Sequence, residues 1–287
     1  AHLLSADHGI AVSGLFLVSP VIDFSLLTRD GMSVLPDALL LPSYAAVALE
    51  RKAPATAEAL AEVERFALGP YLTAMSAAPP KDADLAAAFD AVARFTGLPR
   101  ALVAQYRGRV PLDVFVKEIR RSDQGLASHY DGSLVSPDPF PETANSHRDP
   151  AAESLRSALG SAMPDYLTTV LGVRTDLPYL IRNPELERRW DWWSGLTITG
   201  GYVSAASQLR EALAGNPALK VAMAHGMTDL VTPYFTSRYL LEHLPPKLAA
   251  GRTALHLYSG GHMMYLRPAS RAGLHTDAAK LYTPTGK

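Results

Sequence analysis

The stretch from Ala218 to Tyr258 constrains the fold more than any other part of the chain. An apolar run, Ala218-Leu-Lys-Val-Ala-Met-Ala-His225, stops at Gly226. A second, Thr253-Ala-Leu-His-Leu-Tyr258, stops at Ser259-Gly-Gly261. Between them, from about Pro233 to Leu244, Tyr and Leu recur in a helical pattern. Strand, helix, strand at this spacing is a βαβ unit, which requires a parallel sheet. A third run, Leu15 to Val18, is continuous rather than alternating, as in a strand covered on both faces.

The middle of the chain reads differently. Residues 56–76, 82–95, 99–106 and 111–119 carry apolar side chains three and four apart, and so do 151–170. Residues 203–214 read as a further helix, stopped by Gly215-Asn216-Pro217. From Ser122 to Asp149, Ser, Pro and Asn recur as in a loop. The expected organisation is a parallel α/β core split between residues 1–30 and 195–287, with a helical insertion over 31–194.

Several function classes are excluded early. With 27 basic and 28 acidic side chains, a net charge of -1 gives no general attraction to nucleic acid. The absence of cysteine removes disulfides, thiolate metal sites and a thiol nucleophile. The longest apolar stretch, Ile10 to Phe24, is interrupted by Ser13, Ser19, Pro20 and Asp23, so no membrane span is expected. The opening Ala1-His-Leu-Leu4 does not read as a signal peptide.

In open α/β sheets, ligands bind at the carboxyl ends of the parallel strands. Asp229 follows one expected strand, in His225-Gly-Met-Thr-Asp-Leu-Val-Thr-Pro-Tyr234. His262 follows the next, in Ser259-Gly-Gly-His-Met-Met-Tyr265. Asp and then His on consecutive strand-end loops is the latter part of the hydrolase order Ser…Asp…His. Imidazole takes a proton from the nucleophile, and the carboxylate orients the ring and stabilises its cation. An Asp in a turn also caps backbone amides with no catalytic role, so the residue types alone leave both readings open. Tyr234 and Met263 flank the pair, as candidate substrate contacts or equally as packing residues.

Four stretches together resemble the serine carboxypeptidase family of α/β-hydrolases, in particular its bacterial members. They are Gly14-Leu-Phe-Leu-Val-Ser-Pro-Val-Ile-Asp23, Leu41-Pro-Ser-Tyr-Ala-Ala46, Gly226-Met-Thr-Asp-Leu-Val-Thr-Pro-Tyr234 and Ser259-Gly-Gly-His-Met-Met-Tyr265. The resemblance implies an α/β-hydrolase fold whose helical cap is residues 31–194. It implies Asp229 and His262 as triad acid and base, and removal of carboxyl-terminal residues from peptides. It implies no cofactor, since the triad supplies both proton transfers, and a periplasmic or secreted location. Esterase or acyltransferase chemistry uses the same triad, and a non-catalytic interaction module could use the same scaffold.

The family's nucleophile lies in a Gly-Glu-Ser-Tyr-Gly elbow, and no Gly-x-Ser-x-Gly occurs here. Ser19, Ser133, Ser161 and Ser259 all fail that pattern. The expectation is a carboxyl-terminal portion of a longer hydrolase, inactive alone, with the serine and the amino-terminal strands of the sheet in the missing segment. His225, His243 and His256 have no metal-ligand spacing with His262, and His256 is expected in a core strand. Arg189-Trp-Asp-Trp-Trp193 reads as packing where the cap meets the core, ahead of a substrate-binding wall. Ser128-His-Tyr-Asp-Gly132 contains a turn signal but shows no clear role. Lys117, Arg120 and Arg121 around Glu118 read as a solvated helix end.

Overall fold

The computed structural model describes residues 1–29, 31–190 and 203–283. Among the described residues five strands form: β1 (Gly14–Val18), β2 (Gly125–Ala127), β3 (Val135–Pro137), β4 (Lys220–Gly226) and β5 (Thr253–Tyr258). The principal sheet has the order β1-β4-β5 and is parallel throughout. Phe16 pairs with Ala222, and Ala224 with His256. The chain is therefore a mixed α/β protein with a small parallel sheet and many helices. The expected strand bounds at Thr253 and Tyr258 hold as read, and the strand expected from Ala218 begins at Lys220.

The β4–β5 crossover contains α11 (Tyr234–Glu242) and the short α12 (Pro246–Ala249), while α10 (Ala206–Gly215) precedes β4. After β5, α13 (Pro268–Tyr282) closes against β1: a Cβ on Gly14 would lie 2.9 Å from the Tyr282 ring. At the other end, α1 (His2–His8) stops at Gly9, which takes φ +63°.

Between β1 and β4 in sequence lie α2 (Leu35–Glu50), α3 (Ala57–Phe66), α4 (Leu72–Ser76), α5 (Asp82–Thr96), α6 (Arg100–Gln105) and α7 (Leu112–Glu118), then α8 (Pro150–Asp165) and α9 (Pro184–Arg189). The expected run 56–76 is one helical path with a π turn at Ala67–Tyr71 that contains Pro70. Thr56 caps its start by accepting from Ala59 N at 3.2 Å. The expected boundary at 30/31 abuts residue 30, and that at 194/195 falls within 191–202; both positions lie outside the described residues. Trp192 and Trp193 of the aromatic cluster also lie outside them, whereas Trp190 is exposed.

Helix α2 was not among the expected helices, and it is the centre of the largest core. Its side chains from Pro36 to Val47 are all buried, so no polar face marks its period. Tyr44 stacks on Phe115 of α7 with ring centroids 3.7 Å apart. Buried Asp37 receives Arg29 Nε at 2.7 Å and Arg109 Nε at 2.6 Å, so the carboxylate is paired on both oxygens. This core continues into Met227, Leu230, Tyr234 and Phe235, which follow β4, and so joins the inserted helices to the sheet's carboxyl edge.

Two further expectations are corrected. The loop-like segment 122–149 contains the antiparallel pair β2–β3, with Leu126 opposite Ser136. Lys117 is not on a solvated helix end: its side chain is 1% exposed and pairs with Asp138 at 2.8 Å. Its ammonium also donates to Thr143 Oγ1 at 2.7 Å and to Phe140 O, pinning the 138–143 loop onto α7. No helix among the described residues is long and apolar enough to cross a membrane.

Candidate active site

Asp229 and His262 meet at the carboxyl edge of the sheet. Asp229 lies in the turn after β4 and is fully buried; His262 lies in the turn after β5 with its side chain 29% exposed. Glycines make this approach possible. A Cβ on Gly226 would sit 2.1 Å from Gly261 O, and one on Gly261 would sit 2.1 Å from Tyr130 O. The two strand-end turns thus touch through bare backbone, a closeness that side chains at Gly226 and Gly261 would prevent.

The Asp229 carboxylate receives four hydrogen bonds. Oδ1 accepts from Val231 N and Thr232 N, both at 2.9 Å. Oδ2 accepts from Thr232 Oγ1 at 2.6 Å and lies 3.0 Å from His262 Nδ1. Thr232 Oγ1 also lies 3.0 Å from Nδ1. The threonine has one hydroxyl proton and the carboxylate takes it, so the ring must supply the proton on Nδ1. That tautomer leaves the lone pair on Nε2, which no side chain or backbone group among the described residues hydrogen-bonds. Asp229 is therefore both a turn cap and the histidine's partner. One geometry serves the two readings that the sequence left open.

Thr232 is the site residue missed from the sequence. Its signal was the Asp-x-x-Thr-Pro spacing from Asp229 to Pro233, which lets a carboxylate accept from the amide and hydroxyl three residues on. Behind it, buried His225 approaches Thr232 O with Nδ1 at 3.2 Å and Ser237 Oγ with Nε2 at 2.8 Å. Burial lowers the His225 pKa to about 4, so the ring is neutral near pH 7.

The other two histidines weighed as metal ligands, His243 and His256, have separate partners. His243 Nδ1 accompanies Tyr239 O at 2.7 Å, and partly buried His256 faces Asp277 at 3.4 Å. No group of three or more His, Asp or Glu side chains among the described residues is placed to hold a metal ion.

Ser19 follows β1 with φ +46° and donates its hydroxyl to His262 O at 2.8 Å. It braces the histidine backbone and does not approach the ring through that bond. Ser133 and Ser259 both accept from Arg267, and Ser161 donates to Ser157 O.

The two candidate substrate contacts separate. Met263 lines a cavity of about 400 Å³ with Tyr130, Leu155, Leu159 and Arg156. The Tyr130 ring is edge-on to the His262 imidazole, with centroids 5.5 Å apart. Tyr234 lines no such wall: it is 0% exposed and donates to Glu64 Oε1 at 2.7 Å. Glu64 also pairs with Arg238 at 2.6 Å, so Tyr234 ties α11 to α3 within the core. The expectation of Tyr234 as a substrate contact is corrected by that burial.

An adjoining cavity of about 730 Å³ shares Tyr130, Ala152, Arg156 and Arg182 with the first and reaches Leu230 and Val231 beside Asp229. Arg156 of α8 projects from the shared wall, half-buried and with no hydrogen-bond or ion-pair partner among the described residues. No protein-family model, curated protein or solved structure matches this chain.

Proposed function

We propose that Asp229 and His262 are the acid–base part of a serine-type hydrolase of α/β-hydrolase architecture, acting on the carboxyl ends of peptides. The observation that carries this reading is the fixed imidazole: Nδ1 is held by Asp229 at 3.0 Å, and Nε2 has no protein partner among the described residues. In this reading a serine from outside those residues supplies the nucleophile. Nε2 takes the hydroxyl proton as oxygen attacks the peptide carbonyl, then returns it to the leaving amine. A water repeats the sequence on the acyl ester. Asp229 stays ionised and stabilises the imidazolium at each proton transfer.

The peptide substrate is favoured over a neutral ester by Arg156. In the smaller cavity, the charged groups in the wall are Arg156 and Arg182, set among Leu155, Leu159 and Met263. A guanidinium in an apolar wall suits a carboxylate on an apolar residue. A second reading, a non-catalytic module, is favoured by the absence of any hydroxyl on Nε2 among the described residues.

The test is a fluorophosphonate probe on the protein isolated from its natural source, followed by release of free amino acids from peptides and hydrolysis of small esters. One adduct, with Asp229→Asn lowering turnover by about 10⁴, is the expected result. No adduct and no turnover selects the non-catalytic reading. Turnover by Asp229→Asn within about tenfold of the parent removes Asp229 from the triad.

A further inference from the structure

The segment Ser128-His-Tyr-Asp-Gly-Ser133 belongs to neither strand-end turn, yet it touches both. Tyr130 O accepts from His262 N at 2.6 Å, and His129 O accepts from Leu230 N at 3.2 Å. Gly132 N donates to Thr228 O at 3.0 Å. The segment packs without room for a side chain at its glycine contacts: a Cβ on Gly261 would fall 2.4 Å from Asp131 Cα, and one on Gly132 would fall 2.3 Å from Val47 Cγ2 of α2.

At the centre of this contact is Asp131. Its Oδ1 accepts from Thr228 Oγ1 at 2.6 Å, from Ser133 Oγ at 2.6 Å and from Ser133 N at 3.1 Å. Its Oδ2 faces Arg267 Nη2 at 3.4 Å. Arg267 follows the histidine turn, bonds both Ser259 and Ser133, and reaches Glu50 of α2 at 3.6 Å. One carboxylate is thereby connected to the residue before Asp229 and to an arginine five residues after His262.

We infer that Asp131 is a positioning residue for the Asp229–His262 pair: it fixes the separation of the two turns through Thr228 on one side and Arg267 on the other. The physical reason lies in Thr228. Its side chain is fully buried, and its hydroxyl donates to Asp131. Removing that acceptor leaves a buried hydroxyl proton unpaired, and the 226–230 turn must shift to find water or another oxygen. A hydrogen bond across two turns responds to such a shift at its far end, where Asp229 Oδ2 meets His262 Nδ1. The inference rests on the reading of that pair as a working dyad, but its measurement does not require turnover.

The experiment is proton NMR of the whole protein, following the His262 Nδ1 proton and its exchange with solvent. The wild-type protein is expected to show that proton, and Asp229→Asn to displace it. Thr228→Val keeps the side-chain volume but removes the donor, and Asp131→Ala removes the acceptor. Each is expected to speed Nδ1 exchange about tenfold or more. The ring proton of buried His225 serves as an internal control and stays in place. Thr228→Ser restores a hydroxyl and Asp131→Asn restores an acceptor oxygen, so both return exchange toward wild type. Thr228→Val is decisive whether or not Asp131→Ala folds. Unchanged Nδ1 exchange in Thr228→Val overturns the positioning role, while a wild-type Nδ1 proton indifferent to Asp229→Asn overturns the dyad itself.

Discussion

The helices of residues 35–118 and those of residues 150–189 lie between the same two strands of the principal sheet, β1 and β4, yet they bury their side chains to opposite extents. In the first stretch, α2, α3, α5 and α7 converge on one core, with Leu39, Leu60, Val92 and Phe115 nearly or wholly inaccessible. In the second, Ala152 is the buried apolar side chain among the described residues, and Leu159, Tyr166, Val170, Leu177 and Leu186 face outward. Both stretches contain helix-forming apolar sequence. The difference lies in partners among the described residues: the first wraps α2, whereas α8 of the second touches β3 and lines the cavity with Arg156. A helical pattern therefore identifies an element, while burial depends on what packs against it.

The largest expected effect breaks the comparison at its packed end. Phe115→Ala should cost about 3–5 kcal/mol of stability, read from urea or thermal unfolding, because its ring stacks on Tyr44 in an inaccessible site. A cost below about 1 kcal/mol would mean that the first stretch is not the close-packed core described.

The next prediction concerns Asp149, at the junction of the two stretches. Asp149 Oδ1 caps α8 by accepting from Ala152 N at 3.0 Å, and Oδ2 accepts from Ser128 Oγ and His129 N, each at 2.7 Å. Burial alone would raise its pKa, but these bonds and the facing His129 outweigh it and hold the group at about 2. A carboxyl depressed on folding contributes its stability above its unfolded value, near pH 4, and loses it as pH falls toward 2. Asp149→Asn should remove on the order of 2 kcal/mol at pH 6, and the difference from wild type should shrink across that acidic window. Parallel unfolding curves for the two proteins from pH 6 to pH 2 would contradict this.

The smallest effect belongs to the exposed end. Val170→Ala should shift stability by no more than about 0.5 kcal/mol, since that side chain is 63% exposed. A loss comparable to that of Phe115→Ala would show that the outward face is covered in solution.

What the sequence made legible follows the same division. Strand β5 could be read residue for residue because a continuous apolar run ends at Ser259-Gly-Gly261, and the loops bearing Asp229 and His262 followed from the strand ends. Helix α2 could not be read as a helix. Pro36 and Pro42 interrupt its sequence, and burial on every side erases the polar face that marks a helical period. Helix α13 went unread for a different reason: its apolar and polar residues form no stripe, and Ser270 is its buried residue. Asp131 was illegible for a third reason. A hydroxyl or carboxylate in a turn looks the same whether it caps its own loop or orders another one 97 residues away. The buried Lys117–Asp138 pair shows the same limit, since a charged residue's exposure is decided by a distant partner.

The full complement of bonds on Asp229 has a consequence for how such a centre is assembled. Val231, Thr232 and His262 satisfy the carboxylate from within residues 229–262. With the 128–133 segment docked against both turns, the imidazole's orientation is thus settled by folding. On the proposed hydrolase reading, a hydroxyl reaching Nε2 meets a base already oriented, so the entropy of aligning the ring belongs to folding rather than to the encounter.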